Sequence, residues 1–273
     1  MASINITSLA LHYEELLHHD VILVQESRLT SFGQQYMQML LQEKGWSAIW
    51  GIPRPPQQST ATDESISGKC GGVAILYRTS LQFQPAPDFL LEPYPLLRTH
   101  RFLHGILSTE HGPAIHFMTV YGYTGADVHV ESQTQNDLLM NTVFDYAASF
   151  GNTPVYIGMD ANTTTLSSSS LSQAYLSQRW YDLAFLFSQL QDEPLQSTCF
   201  AKGNTTGRRI DFVFVNSPAV LSVNQFYLQN DTSIPTHRPL VFRIDVDLFS
   251  EQVKRLALPP TDYNIPRPTT HFL

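Results

Sequence analysis

Three carboxylates, a histidine, two asparagines and a tyrosine stand at or near the ends of apolar runs in this chain. Asn5 lies in the first apolar stretch, Glu26 follows "VILVQ", and Tyr121 closes "HFMTVY". Asp160 and Asn162 follow "VYIGM", Asp211 lies inside "RRIDFVF", and His237 precedes "RPLVF". Side chains at strand ends are held by a rigid sheet and left open by the loops, so chemistry collects there. Taken singly, Glu26 reads as a solvated carboxylate, Asp160 and Asn162 as a turn, and His237 as part of a Thr-His-Arg-Pro turn. Asp211 is harder to dismiss, because between Ile210 and Phe212-Val213-Phe214 a carboxylate is costly to bury unless paired or bound to a cation. Together these residue types supply what divalent-metal phosphoester chemistry needs. A hard cation takes carboxylate oxygens, an attacking water needs a proton acceptor, and crowded phosphate oxygens need donors.

The elements that must position these residues are legible as apolar periodicity. β-branched and aromatic runs at 20–25, 71–77, 101–108, 114–121, 153–159, 208–215 and 239–246 are strand candidates. Apolar residues return every three or four positions at about 9–18, 32–44, 131–149 and 172–190, which predicts helices. In the third of these, Leu138, Leu139, Val143, Phe144 and Ala147 are expected to share one face. Strands outnumber helices and often follow one another directly. This favours an α/β (α+β) sandwich of stacked mixed sheets with helices outside over a regular βαβ winding. Residues 53–68 and 161–170 have loop composition. One domain over 1–250 is expected, followed by a proline-rich tail or linker at 251–273.

Composition narrows the function classes. Among 273 residues the net charge is −8, which excludes coating nucleic acid by bulk electrostatics. No Lys or Arg occurs between 110 and 178, so the basic charge is uneven and a local patch is still open. Two cysteines, Cys70 and Cys199, make neither a disulfide framework nor a zinc site and fit a reducing compartment. No run of about 18 apolar residues is present. The first twenty residues lack the pattern of a secretory signal, so an intracellular location, nuclear or cytoplasmic, is expected. The four N-x-T sequons, at Asn5, Asn162, Asn204 and Asn230, read as coincidence in that setting.

In order along the chain, "INITSL", "DVILVQES", "GGVAILYR", "VYGYTG", "GMDAN", "GRRIDFVF" and "PTHRPL" resemble the motifs of the endonuclease/exonuclease/phosphatase family. These are Mg²⁺-dependent phosphoesterases that include apurinic endonucleases and the nicking endonucleases of non-LTR retrotransposons. The resemblance covers about residues 3 to 246. It implies a four-layer sandwich, with two mixed β-sheets packed face to face and helices outside. It further implies that Glu26 ligates Mg²⁺, or Mn²⁺ in its place, with Asn5 and Asp211 as further metal-site residues. Asp160 would orient or deprotonate the attacking water, and Asn162 would hold a phosphate oxygen and fix Asp160. His237, held by Asp211, would donate to the scissile phosphate, and Tyr121 would contact a phosphate oxygen.

Two positions depart from the family pattern. "GMDAN" carries one residue more between glycine and aspartate than Gly-Asp-x-Asn, so the turn leading into Asp160 is expected to differ. Thr236 stands where the family places an aspartate and can offer only a neutral hydroxyl, so reduced or altered metal dependence is expected. Family members act on DNA, RNA, inositol phosphates and sphingomyelin, so the fold does not choose the substrate. Arg28, Lys202, Arg208, Arg209 and Arg238, close in sequence to the site residues, tilt the choice to nucleic acid, and in particular to DNA nicking of retroelement or apurinic type. The proline-rich tail fits an endonuclease once followed by a polymerase module. The alternatives are a phosphatase or phosphodiesterase acting on inositol phosphate or phospholipid, and a weakened nucleic-acid-binding module.

Overall fold

The β-branched and aromatic runs pair into two sheets because such side chains fill a pleated surface well. The computed structural model describes residues 1–57, 65–110, 112–201, 203 and 205–249, so the 251–273 tail and Lys202 lie outside the described residues. One six-stranded sheet is made of β1 (Ala2–Asn5), β2 (Val21–Gln25), β3 (Trp46–Trp50), β4 (Val73–Arg78), β13 (Val223–Leu228) and β14 (Leu240–Ile244), in the order β13-β14-β1-β2-β4-β3. The other is made of β5 (Phe83–Pro85), β6 (Phe102–Leu107), β7 (Ile115–Tyr121), β8 (Val155–Asp160), β9 (Trp180–Asp182) and β12 (Asp211–Asn216), in the order β5-β6-β7-β8-β12-β9. A short ribbon joins β10 (Cys199–Phe200) to β11 (Gly207–Arg208). Both sheets are mixed: β1 with β2, and β7 with β8, run parallel among antiparallel neighbours.

Successive side chains of a strand face opposite ways, and here both faces are covered, so the central runs are apolar without a break. Val21 and Leu23 of β2 join Phe117, Tyr156, Val213 and Phe242 between the sheets. Ile22 and Val24 of the same strand face α1 (Leu9–Leu16) and α2 (Ser31–Glu43), packing with Leu9, Met37 and Leu41. On the far side, α3 (Val130–Ala148) and α4 (Ser169–Leu176) cover the second sheet, where Met140, Val143 and Leu171 meet Met118, Ile157 and Phe214. The order helix, sheet, sheet, helix makes the four layers. The sheets approach closely at Gly158, where an added Cβ would lie 2.8 Å from Leu23 Cδ1 and 2.9 Å from Ser3 Cβ. No helix among the described residues is long and apolar enough to cross a membrane.

Three expectations are corrected. The helix read over 172–190 is α4, then the strand β9, then α5 (Leu183–Gln191), with a final short helix α6 (Ser217–Val220) beyond β12. The break has a physical cause. Gln178 takes φ 54°, Trp180–Asp182 pairs with β12, and Asp182 caps α5 by accepting from Ala184 N at 3.1 Å. Leu138 is 51% exposed; the buried stripe of α3 runs through Leu139, Met140, Val143, Phe144 and Ala147. No turn leads into Asp160 in "GMDAN", because Gly158, Met159 and Asp160 continue β8 in unbroken register with β12.

Candidate active site

Strand register places the polar residues in rows. Tyr121 pairs with Asp160 across β7 and β8, and Asp160 pairs with Asp211 across β8 and β12. Residues directly opposite share a face, so a phenol and two carboxylates stand side by side at one end of the second sheet. At the same end of the first sheet Asn5 closes β1 and pairs with Gln25, and Glu26 follows at once. Asn5 Nδ2 donates to Asp160 Oδ2 at 2.7 Å and ties the two rows together. Beneath them Gln25 Nε2 donates to Thr119 Oγ1 at 2.9 Å and to Ser3 Oγ at 3.2 Å, a buried polar link between the sheets.

Asp160 has no solvent exposure. Its Oδ1 accepts from Asn162 N at 2.9 Å, and its Oδ2 accepts from Asn162 Nδ2 at 3.3 Å besides Asn5. Asn162 reaches back because it takes φ 52°, a left-handed conformation that asparagine tolerates. Burial, then the charge of Asp211, push the Asp160 carboxyl up to about 7, against the lowering pull of His237 and of its hydrogen-bond donors. Two carboxylates opposed across a strand pair cannot both ionise freely.

His237 meets the second carboxylate. Its Nδ1 lies 3.0 Å from each oxygen of Asp211, so the ring hydrogen is assigned there and Nε2 is the other, outward nitrogen. Burial alone would lower the imidazole; Asp211 overrides it and holds the pKa well above the usual histidine value. Asp211 is fixed in turn by Thr198, whose Oγ1 donates to Oδ2 at 2.7 Å and accepts from Ile210 N and Asp211 N at 3.2 and 3.1 Å. The segment around Thr198 is clamped to that of His237 by Phe200 N to Thr236 O and Arg238 N to Thr198 O, both 2.8 Å. Cys199 Sγ lies 3.7 Å from His237 Nε2. Neither Thr198 nor Cys199 stands out in the sequence, because each is recruited by pairing with distant chain and belongs to no long apolar run.

Asn5, Glu26, Arg28, Tyr121, Asn162, Arg208 and His237 all line one cavity of about 450 Å³, together with Cys70, Cys199 and Thr236. Glu26 Oε1 accepts from Arg28 Nε at 2.9 Å, Arg28 Nη2 at 2.5 Å and Cys70 Sγ at 2.9 Å. Cys70 Sγ is also 3.3 Å from Tyr121 OH. Burial, then Glu26, raise the tyrosine, so its phenol stays protonated and can donate. Arg208 is exposed at the cavity and pairs with Asp127. Arg209, expected as a substrate contact, does not line this cavity: it stacks on Phe212 and forms a largely buried ion pair with Asp182 at the start of α5.

The donor set suits a hard cation. Asp160, Asp211 and His237 each offer a ligand atom, all within 4.8 Å of one another. The carboxylates bring the oxygen chemistry that Mg²⁺ or Mn²⁺ takes. Of the expected metal-site residues Glu26, Asn5 and Asp211 only Asp211 belongs to that triplet; Glu26 stands outside it and is held by Arg28.

A two-sheet sandwich with opposed carboxylates and an aspartate-held histidine at one edge has the architecture of a phosphoester hydrolase. The chain belongs to the endonuclease/exonuclease/phosphatase family, whose sequence model matches residues 6–230. The family comprises hydrolases of phosphodiester bonds that are generally dependent on divalent metals. Three solved structures show the same fold at low identity. A 3′ phosphatase from Neisseria bound to product DNA hairpin is 17% identical, covers 89% of this chain and 98% of its own, and has a TM-score of 0.62. An AP endonuclease from Archaeoglobus fulgidus is 14% identical, with coverages of 90% and 98% and a TM-score of 0.62. The endonuclease domain of TRAS1, a telomere-specific non-LTR retrotransposon, is 15% identical, with coverages of 90% and 97% and a TM-score of 0.56. No curated protein sequence matches the chain.

Proposed function

We propose that the protein is a Mg²⁺-dependent phosphodiesterase that nicks DNA, an endonuclease of retroelement or apurinic type. The observation that carries this reading is the row Tyr121, Asp160, Asp211, with His237 locked on Asp211 and Asn5 crossing from the other sheet. Asp160, ionising near neutral pH, takes a proton from the attacking water, and Asn5 and Asn162 hold its two oxygens. His237, kept protonated by Asp211, donates from Nε2 to a phosphate oxygen where negative charge grows. Tyr121 donates its phenol to a second oxygen, and Arg208 supplies a cation at the rim. Glu26, with Asn5 and Asp211, would hold the divalent ion, which when bound neutralises phosphate charge and acidifies water.

Nucleic acid is favoured as substrate because the described solved structures include an AP endonuclease, a retrotransposon endonuclease domain and a phosphatase with product DNA. The arginines at the cavity fit a phosphate backbone. Incubation with supercoiled plasmid and with an abasic duplex in Mg²⁺ tests the reading. Nicked circles are expected. A strong preference for the abasic duplex would assign the apurinic type, whereas hydrolysis of an inositol phosphate or phospholipid with both DNAs intact would overturn the DNA assignment.

A further inference from the structure

We propose that Arg28 is a resident counter-cation of the site, which a divalent ion must displace from Glu26 before that carboxylate can serve as a ligand. The inference rests on the metal-dependent reading above and concerns what competes with the metal.

The contact is built by the backbone and is not a chance rotamer. Glu26 and Arg28 take φ 57° and 53°, a conformation costly for residues with a side chain. The turn is held in place because Ser27 N donates to Gly72 O and Arg28 N to Gly71 O, each at 3.0 Å. Gly72 is suited to this role: it takes φ 88°, and a Cβ there would stand 2.7 Å from Ser27 Oγ. The folded-back turn sets residues two apart in contact, so two guanidinium nitrogens and the Cys70 thiol converge on one oxygen, Glu26 Oε1. The Glu26 side chain is 9% exposed, and little solvent screens the pair from that side.

The two carboxylates buried beneath the cavity are engaged differently. Asp160 is held by the neutral amides of Asn5 and Asn162, and Asp211 by His237 and Thr198. Thr236, at the cavity wall, adds a hydroxyl where a carboxylate would add charge. Glu26 is therefore the carboxylate of the cavity lining on which an incoming cation meets a guanidinium, while Asp211, which carries His237, lies behind that lining. Two cations sharing one acceptor are linked: each weakens the other's hold by the same factor. An ion that takes Glu26 frees the donors of Arg28 inside the same cavity, where a phosphate oxygen can accept them.

The experiment is Mn²⁺ binding by the full chain without nucleic acid, followed by calorimetry and by the free-ion electron paramagnetic resonance signal. It compares the native protein with Arg28→Gln and Arg28→Lys. Arg28→Gln is expected to bind Mn²⁺ about five- to tenfold more tightly, with Arg28→Lys near native. Should Gln fail to fold in the left-handed turn, Arg28→Asn removes the charge with a residue that tolerates it. Unchanged or weaker binding in a folded charge-removing variant overturns the role of Arg28 and leaves the metal reading standing. No binding by any of the proteins, native included, overturns both.

Discussion

Asp160 answers two demands with one environment. In the proposed hydrolysis it must be buried to lie under the cavity and ionised to accept a proton, and the opposing Asp211 makes ionisation harder. The amides of Asn5 and Asn162 and the nearby imidazole of His237 lower that cost. Thr198 plays the equivalent part for Asp211. Replacing it by valine keeps the shape but strips a buried carboxylate of a donor and two backbone N–H groups of their acceptor. Thr198→Val is expected to cost about 1–3 kcal/mol in urea unfolding and to lower turnover by loosening His237. Native stability in that variant would contradict the assignment. The residues of the row could be picked out in the sequence because each closes or interrupts an apolar run. Thr198, Cys70 and the Ser3, Gln25, Thr119 layer could not, since their partners lie 13 to 94 residues away.

Among the elements, β12 and the segment before it carry a structural load that the sequence hid. "GRRID" reads as two cations approaching a carboxylate, and only the register of β9 against β12 separates their roles. Arg208 stays at the cavity, while Arg209 is drawn to Asp182, the residue that ends β9 and caps α5. Burial pushes the Asp182 carboxyl up, and Arg209 is the main influence holding it down. Arg209→Ala strands that charge and is expected to cost about 3–5 kcal/mol in denaturant unfolding while leaving KM for DNA unchanged. Native stability with a raised KM would restore Arg209 as a substrate contact. The same short strand explains why one helix was read across 172–190. The spacing of apolar residues continues through Trp180 and Tyr181, and pairing with a distant strand overrides it.

At the scale of the molecule the layering was legible, because direct strand-to-strand succession leaves few ways to cover two apolar faces. The burial that results also sets the acid limit of the fold. His104 Nδ1 lies 2.7 Å from Tyr146 OH and its Nε2 2.9 Å from His116 Nδ1, with His116 stacked 4.2 Å from the Phe150 ring. Burial lowers both imidazoles, His116 to about 4, and the His116 neighbour lowers His104 further. His19 and His100 are likewise lowered to about 4, chiefly by burial. Groups with depressed folded pKa values contribute stability that is present above the unfolded value, about 6.5, and lost as pH falls toward 4. Asp160, Asp182 and His237, all raised, work in the opposite sense, but the four imidazoles outnumber them. The urea midpoint is expected to fall steadily from pH 7 to pH 5; a flat or rising midpoint would show that these histidines are not held neutral.

Asp160, in its row with Asp211 and His237, is the proposed base acting on a phosphodiester. The most direct measurement is the initial rate of supercoiled plasmid nicking in Mg²⁺ by purified native protein and by Asp160→Asn, which keeps the shape of the side chain and removes its charge. Nicking by the native protein is expected, with a loss of at least about 100-fold in the variant and unimpaired thermal unfolding. Equal rates from the two proteins, or a native protein that leaves the plasmid intact, would contradict it.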